Sequence, residues 1–257
     1  MIDHVGGEAD IVARRVRFIG EPLQRIAEDH LRILRFFRFH ARFGQGDPDP
    51  AALDACTARA NDLMALSRER IADELLKLLA LPDPSPTLAL MAARGILAPI
   101  LPELVNDAAA QVAALAMAEG TAAIPADPLR RLAAILPRDA GLAAKVAARL
   151  KLSKKARQRL TIAADLDLDT NPRALAYRAG TEGALDRLLL ADRPADAAGI
   201  AAWPVPKLPL GGGDLVAQGV AQGPDVARLL REIERRWVAA GFPGGDPFNA
   251  IVTATLA

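Results

Sequence analysis

Proline placement constrains this chain more than any other feature. Asp127-Pro128, Asn171-Pro172 and Gly223-Pro224 each set a capping or turn residue before a proline, ahead of a helix-forming window. Proline is tolerated at the first helical position, where its missing N–H has no partner to lose, so each pair reads as a helix start. Pro82, Pro84 and Pro86 follow a periodic run and read as a stop. Ser67, Ser153 and Thr181 stand where N-caps are wanted, and Gly95 where a C-terminal glycine is wanted. Between these marks the apolar residues recur at helical spacing. Strand-like alternation is sustained nowhere, apart from a possible extended lead-in at residues 16–19. The chain therefore reads as all-α, an elongated set of many helices with at most a short extended lead-in.

Helices are expected over residues 23–43, 51–65, 68–81, 87–94, 107–118, 128–136, 140–150, 154–164, 172–179, 181–190, 215–221 and 225–240. Residues 1–12 are glycine-broken and acidic and read as a linker. Residues 203–210, WPVPKLPL, read as an extended, proline-locked strap. Hydrophobic residues make up 51% and charged residues 25%, a globular balance, while aromatics at 4% leave a core of Ala and Leu. The net charge of +1 supplies no global field towards nucleic acid, so any RNA contact must come from local patches. The single Cys56 excludes an internal disulfide, fits a reducing cytosol, and lies on a helix stripe as a core residue. No apolar run reaches the ~18 residues of a membrane span, and the first residues carry neither the basic nor the apolar part of a signal peptide. A cytoplasmic protein without membrane contact is expected.

The stretch 16–43, VRFIGEPLQRIAEDHLRILRFFRFHARF, holds four of the seven Phe and the run Glu28-Asp29-His30-Leu31-Arg32. If this run is helical, Asp29 and Arg32 share a face. A carboxylate only accepts hydrogen bonds; a guanidinium only donates them, through a rigid fork. Side by side they match the amino group and ring nitrogen of cytosine or adenine, whereas uracil and guanine present the reverse order. Two such bonds would contribute about 1.5–3 kcal/mol each, and a wrong base would leave both groups unpaired. The same residues are equally satisfied as ordinary intrahelical ion pairs of a few tenths of a kcal/mol.

The neighbourhood narrows this choice. Gly6-Gly7-Glu8-Ala9-Asp10-Ile11, Arg15-Val16-Arg17-Phe18-Ile19-Gly20-Glu21-Pro22 and the run from Arg25 to Phe39 resemble bacterial, class II, CCA-adding tRNA nucleotidyltransferases and their poly(A) polymerase relatives. The run from Ser67 to Leu79, SRERIADELLKLL, looks like the next neck motif of that family. Gly212-Gly213-Asp214-Leu215, Gly219, Gly223-Pro224, Trp237 and Gly241-Phe242 are similar to the tail of the alphaproteobacterial type. The resemblance implies a head–neck linker remnant over 1–15, a nucleotide-selecting, RNA-binding neck over 16–105, a helical body over 106–200 and a tRNA-binding tail over 201–257. It implies base reading by Asp29 and Arg32, with Glu28 orienting Arg32. Arg35 and Arg38 would face the triphosphate or the tRNA end, or brace neighbouring helices. Arg70 and Glu74 would buttress the nucleotide-reading helix. The partners implied are tRNA, CTP, ATP and a catalytic head, in cis or as a separate chain.

The family's glycine-rich phosphate loop and its D-x-D pair, which binds Mg²⁺, are not found in this sequence. The resemblance is to neck, body and tail without the head, so no metal is expected on this chain and no nucleotide addition by it alone. Asp165-Leu166-Asp167-Leu168-Asp169 has D-x-D spacing but reads as a solvated helix end. His4, His30 and His40 lack metal-ligand spacing. Arg149, Lys151, Lys154, Lys155 and Arg157, with Arg159, form a basic cluster that would grip tRNA phosphates or serve as a solvated helical face. The turn at 219–224 could offer backbone amides to a phosphate, although Asp225 would oppose it. The Phe cluster reads as core and head–neck packing, with Phe37 and its neighbours exposed where a head would sit. A stand-alone, non-catalytic RNA-binding module and a poly(A) polymerase remain the rival readings.

Overall fold

The computed structural model describes Asp3, residues 6–169 and residues 171–257, and the described residues are α-helical with no strand among them. The lead-in at 15–18 is irregular backbone rather than a strand. His4 lies outside the described residues.

The first part comprises α1 (Gly7–Val12), α2 (Pro22–Glu28), α3 (Arg32–Phe43), α4 (Pro50–Ala58), a 3-10 helix (Ala60–Ala65), α5 (Arg68–Leu79) and α6 (Ser85–Ala93). Then come α7 (Ala108–Thr121), α8 (Pro128–Ala134), α9 (Ala140–Arg149), α10 (Lys154–Ala163), α11 (Pro172–Leu190) and α12 (Pro194–Ala201). The last part holds α13 (Gly212–Ala217), α14 (Pro224–Ala239) and α15 (Gly245–Leu256). The caps act as their chemistry dictates. Ser67, Asp127, Ser153 and Asn171 each accept a backbone N–H of the helix they open. Gly180, at φ 74°, breaks α11 into the two segments that the sequence predicts.

Four expectations need correction. The linker over 1–12 contains a helical turn, α1, whose Asp10 accepts from Arg15 and Arg17. The expected helix 51–65 tightens to 3-10 geometry after Arg59. The helix α15 follows α14, beyond the last expected helix at 225–240; Pro247 sits in its first turn, where it costs no helical hydrogen bond. The expected single helix 23–43 is interrupted at Asp29.

One apolar core runs from Ile26 to Ala164, across the expected neck–body boundary at residue 105. A second lies between α7, α11 and α12, and a third joins Ala174 to the tail helices around Trp237. Phe37 is fully buried and Phe36 nearly so, contrary to the expectation for Phe37; Phe39 and Phe43 are the exposed members of the cluster. Cys56 is buried in the first core, and burial pushes its thiol up to about 12.

Beneath the first two cores lies an ionic network that the sequence did not reveal. Arg130 donates to Glu119 and Asp186, each at 2.8 Å, and Arg131 to Glu119 at 2.9 Å. Arg131 also donates to the carbonyls of Leu79, Leu81 and Pro82, satisfying the C-terminal end of α5. Arg159 reaches Asp186 at 2.6 Å. These groups tie α5, α7, α8, α10 and α11 together, so α5 is fixed from behind before it meets α3.

Candidate nucleotide-selecting site

The break at Asp29 builds the site. Glu21 caps α2 by accepting from Gln24 at 2.7 Å, and Pro22 fills the first position. At Asp29 the backbone turns extended (φ −156°, ψ 103°). Its carboxylate accepts the Leu31 N–H at 3.2 Å, two residues on, and its carbonyl accepts the Arg32 N–H at 3.0 Å. This is the local competition by which aspartate draws backbone out of a helix. The chain restarts as α3 at Arg32.

Asp29 and Arg32 therefore do not pair as helix neighbours; each has its own support. Arg70, on the first turn of α5, donates to both oxygens of Asp29 at 3.0 and 3.1 Å. Arg32 donates through Nη1 to Glu28 at 2.6 Å and to the Arg25 carbonyl at 2.8 Å. Arg25 closes on the same Glu28 at 2.6 Å. The Arg32 hydrogen bond, aided by Arg25 and opposed by desolvation, holds the Glu28 carboxyl below its ordinary range. Glu28 thus stays ionised as the brace of Arg32.

The next turn of α3 is fastened to α5. Glu74 is only 3% exposed and accepts from Arg38 at 2.7 Å and Arg35 at 3.4 Å. Arg35 also lies 3.8 Å from Asp29. Arg38 stacks over Phe39 at 4.4 Å. Arg17, Arg25, Arg32 and Arg35 line a groove of about 280 Å³ floored by Phe18, Phe36 and Phe39. Such a groove joins cationic charge to apolar ring faces. The free donors of Arg32, its Nε and Nη2, make no hydrogen bond among the described residues.

The basic cluster divides in two. Arg149 is bidentate to Glu103 at 2.6 and 2.5 Å, Lys151 meets Glu69 at 2.9 Å, and Arg159 turns inward to Asp186. Lys154, Lys155 and Arg157 stand exposed at the start of α10, with no side-chain partner among the described residues. Asp225, at the turn that could have received a phosphate, pairs with Arg228 at 3.1 Å.

The residues present do not fit the metal pair of a nucleotidyl-transfer centre. Residues 165–169 are irregular backbone past the end of α10 rather than a helix end. Asp165 accepts from the Asp167 N–H and lies 3.4 Å from Arg187. Asp169 accepts from the Asn171 N–H and pairs with Arg178 at 2.8 Å. Among the described residues no group of three or more His, Cys, Asp or Glu is disposed to hold a metal ion.

Comparison with known proteins agrees with this architecture. A family model described as the probable RNA and SrmB-binding site of polymerase A matches residues 47–107. The mitochondrial CCA tRNA nucleotidyltransferase 1 of Mus musculus is 28% identical over 273 residues, covering 94% of this chain and 59% of that protein. The CCA-adding enzyme of Bordetella bronchiseptica is 40% identical over 111 residues, covering 42% of this chain and 30% of that protein. Among solved structures, the Bacillus stearothermophilus CCA-adding enzyme in complex with CTP superposes with a TM-score of 0.72 at 24% identity, over 99% of this chain and 69% of that one. The Thermotoga maritima CCA-adding enzyme complexed with tRNA gives 0.70 at 16% identity, over all of this chain and 68% of that one. At those identities the superpositions speak for the fold. The chain spans about three fifths of the mouse relative and under a third of the Bordetella one.

Proposed function

We propose that this chain, a helical portion of the CCA-adding and poly(A) polymerase family, selects cytosine or adenine for addition to a tRNA 3′ end and grips the tRNA. The observation that carries the reading is the separate support of Asp29 and Arg32 at one helix break. Arg70 and the Leu31 N–H hold the Asp29 carboxylate while leaving acceptor capacity on Oδ2. Glu28 holds Arg32 by one nitrogen and leaves Nε and Nη2 to donate. An acceptor and a donor are thereby fixed without being spent on each other. Preorganised groups lose little on binding, and they penalise a base that cannot meet both.

Glu28 and Arg70 orient the pair. Glu74 anchors Arg38 and Arg35, so that α3 keeps its register against α5. Arg35, half-exposed beside the groove, is the residue placed to meet the nucleotide's phosphates. Lys154, Lys155 and Arg157, exposed and without side-chain partners among the described residues, would meet tRNA phosphates. The partners proposed are tRNA, CTP, ATP and a catalytic head that would bring its own Mg²⁺; no metal step is assigned to these residues. Purified alone with tRNA, CTP, ATP and Mg²⁺, the chain should leave the tRNA end unextended, and extension would overturn that part of the reading.

The second reading, an RNA-binding helical module without base selection, draws on the match of residues 47–107 to an RNA-binding site model; its name also keeps poly(A) addition open. Titration of the chain with CTP, ATP, UTP and GTP separates the readings. Preferential binding of CTP and ATP supports base selection; tight tRNA binding with no nucleotide preference supports the module.

A further inference from the structure

We propose that Arg25 is a specificity-determining positioning residue: by occupying Glu28 it keeps that carboxylate from closing on Arg32 as a fork, so that Nη2 of Arg32 stays available to a base. This deepens the reading of Asp29 and Arg32 as the base-reading pair and rests on it. An arginine beside a carboxylate commonly closes through two parallel N–H bonds, one to each oxygen. Arg32 and Glu28 meet instead through one nitrogen and one oxygen, Nη1 to Oε2 at 2.6 Å. Arg25 stands in the way of the fork. Its Nη1 straddles the same carboxylate, 2.9 Å from Oε1 and 2.6 Å from Oε2.

The break at Asp29 adds a second restraint. In a continuous helix the Arg25 carbonyl would accept the N–H of residue 29. Asp29 is extended, and Nη1 of Arg32 takes that carbonyl at 2.8 Å. Arg32 is thus held by Nη1, between the end of α2 and Glu28. The neighbouring carboxylates are engaged with other cations: Asp29 with Arg70, and Glu74 with Arg38 and Arg35. Glu28 is the carboxylate that could spend Arg32, and Arg25 shares it. Without the Arg25 side chain, Oε1 is left to turn onto Nη2, and the donor face of Arg32 closes before a base arrives.

The test compares the wild type with Arg25→Gln and Arg25→Lys, and repeats Arg25→Gln in a Glu28→Gln background. Cytidine is the probe, because it carries no phosphate for Arg25 to touch, and titration of the whole chain by nuclear magnetic resonance reads weak affinities. Arg25→Gln should weaken cytidine binding about threefold, the population shift that one partly exposed ion pair can impose. It should also slow rotation of the Arg32 guanidinium, read from its Nη resonances. Arg25→Lys, which keeps a cation on Glu28, should recover most of the loss. In the Glu28→Gln background the Arg25→Gln change should add nothing, since no carboxylate is left to close. Helical circular dichroism should not change, because both side chains are partly exposed in the last turn of α2. Unchanged cytidine affinity in Arg25→Gln, an equal loss in the Glu28→Gln background, or faster rotation of the Arg32 guanidinium overturns the proposal. If rotation slows but cytidine binding ignores Asp29→Asn, the base reading fails while the hold of Arg25 on Glu28 stands.

Discussion

Arg70 donates to both carboxylate oxygens of Asp29 across 41 residues of sequence, at 3.0 and 3.1 Å. The contact fixes the position of a carboxylate that would otherwise lie at the frayed end of α2. Arg70→Gln should preserve the fold, because the side chain is half-exposed and Ser67 still caps α5. It should weaken CTP and ATP binding about threefold to tenfold, the loss expected when one charge-assisted support is removed. Unchanged affinity would mean that Asp29 needs no external support.

A different cost attaches to Arg130. It is 4% exposed and lies between Glu119 and Asp186, so truncation to Ala removes a buried guanidinium shared by two buried carboxylates and leaves Glu119 to Arg131 and Asp186 to Arg159 alone. Arg130→Ala should lose about 3–5 kcal/mol of unfolding free energy in urea titration, far more than an average substitution. The neutral, similarly long Arg130→Met should not recover it.

Lys154 and Lys155 should act through binding rather than folding. Lys154→Glu with Lys155→Glu should lower tRNA affinity and reduce the steepness of its fall with salt, since fewer counterions are released. Urea stability should stay within about 0.5 kcal/mol of the parent. The companion change Arg149→Glu should instead destabilise the chain, because it sets two carboxylates together at Glu103.

Glu103 supplies a pH signature. Its hydrogen bond from Arg149 lowers its pKa against a smaller desolvation effect. A carboxylate lowered on folding contributes stability above its unfolded pKa, about 4.3, and that contribution is lost as pH falls through the folded value. The pair is partly exposed, so the contribution is about 0.5 kcal/mol. Glu103→Gln should remove part of the acid-side slope of stability and leave the slope above neutrality untouched.

Much of the fold was legible because proline and the capping residues act locally. Asp127-Pro128 and Asn171-Pro172 start helices in the structure where the sequence predicts them. The break at Asp29 was not legible, since its flanks are strong helix formers. What wins there is an aspartate hydrogen bond to the backbone, reinforced by Arg70 from another helix. The helix α15 was masked by its opening Gly-Gly-Asp-Pro. The buried network escaped for a similar reason: Arg130 and Arg131 look like a solvated pair until Glu119 and Asp186 are brought to them. Of the site, the residue types and spacing of Glu28, Asp29 and Arg32 were readable. The pairing of Arg32 with Glu28 was readable as well; the hold of Arg70 on Asp29 across 41 residues required the fold.

The central claim is that Asp29 and Arg32 read the base. Its most direct test is the affinity of the chain for CTP, ATP, UTP and GTP, measured side by side for the wild type and Asp29→Asn. Asparagine keeps the size of the side chain but replaces one acceptor oxygen by a donor. The wild type should favour CTP and ATP, and the substitution should erase that preference by weakening CTP and ATP about tenfold or more while leaving UTP and GTP nearly unmoved. A preference that survives Asp29→Asn, or a loss equal for all four nucleotides, would contradict it.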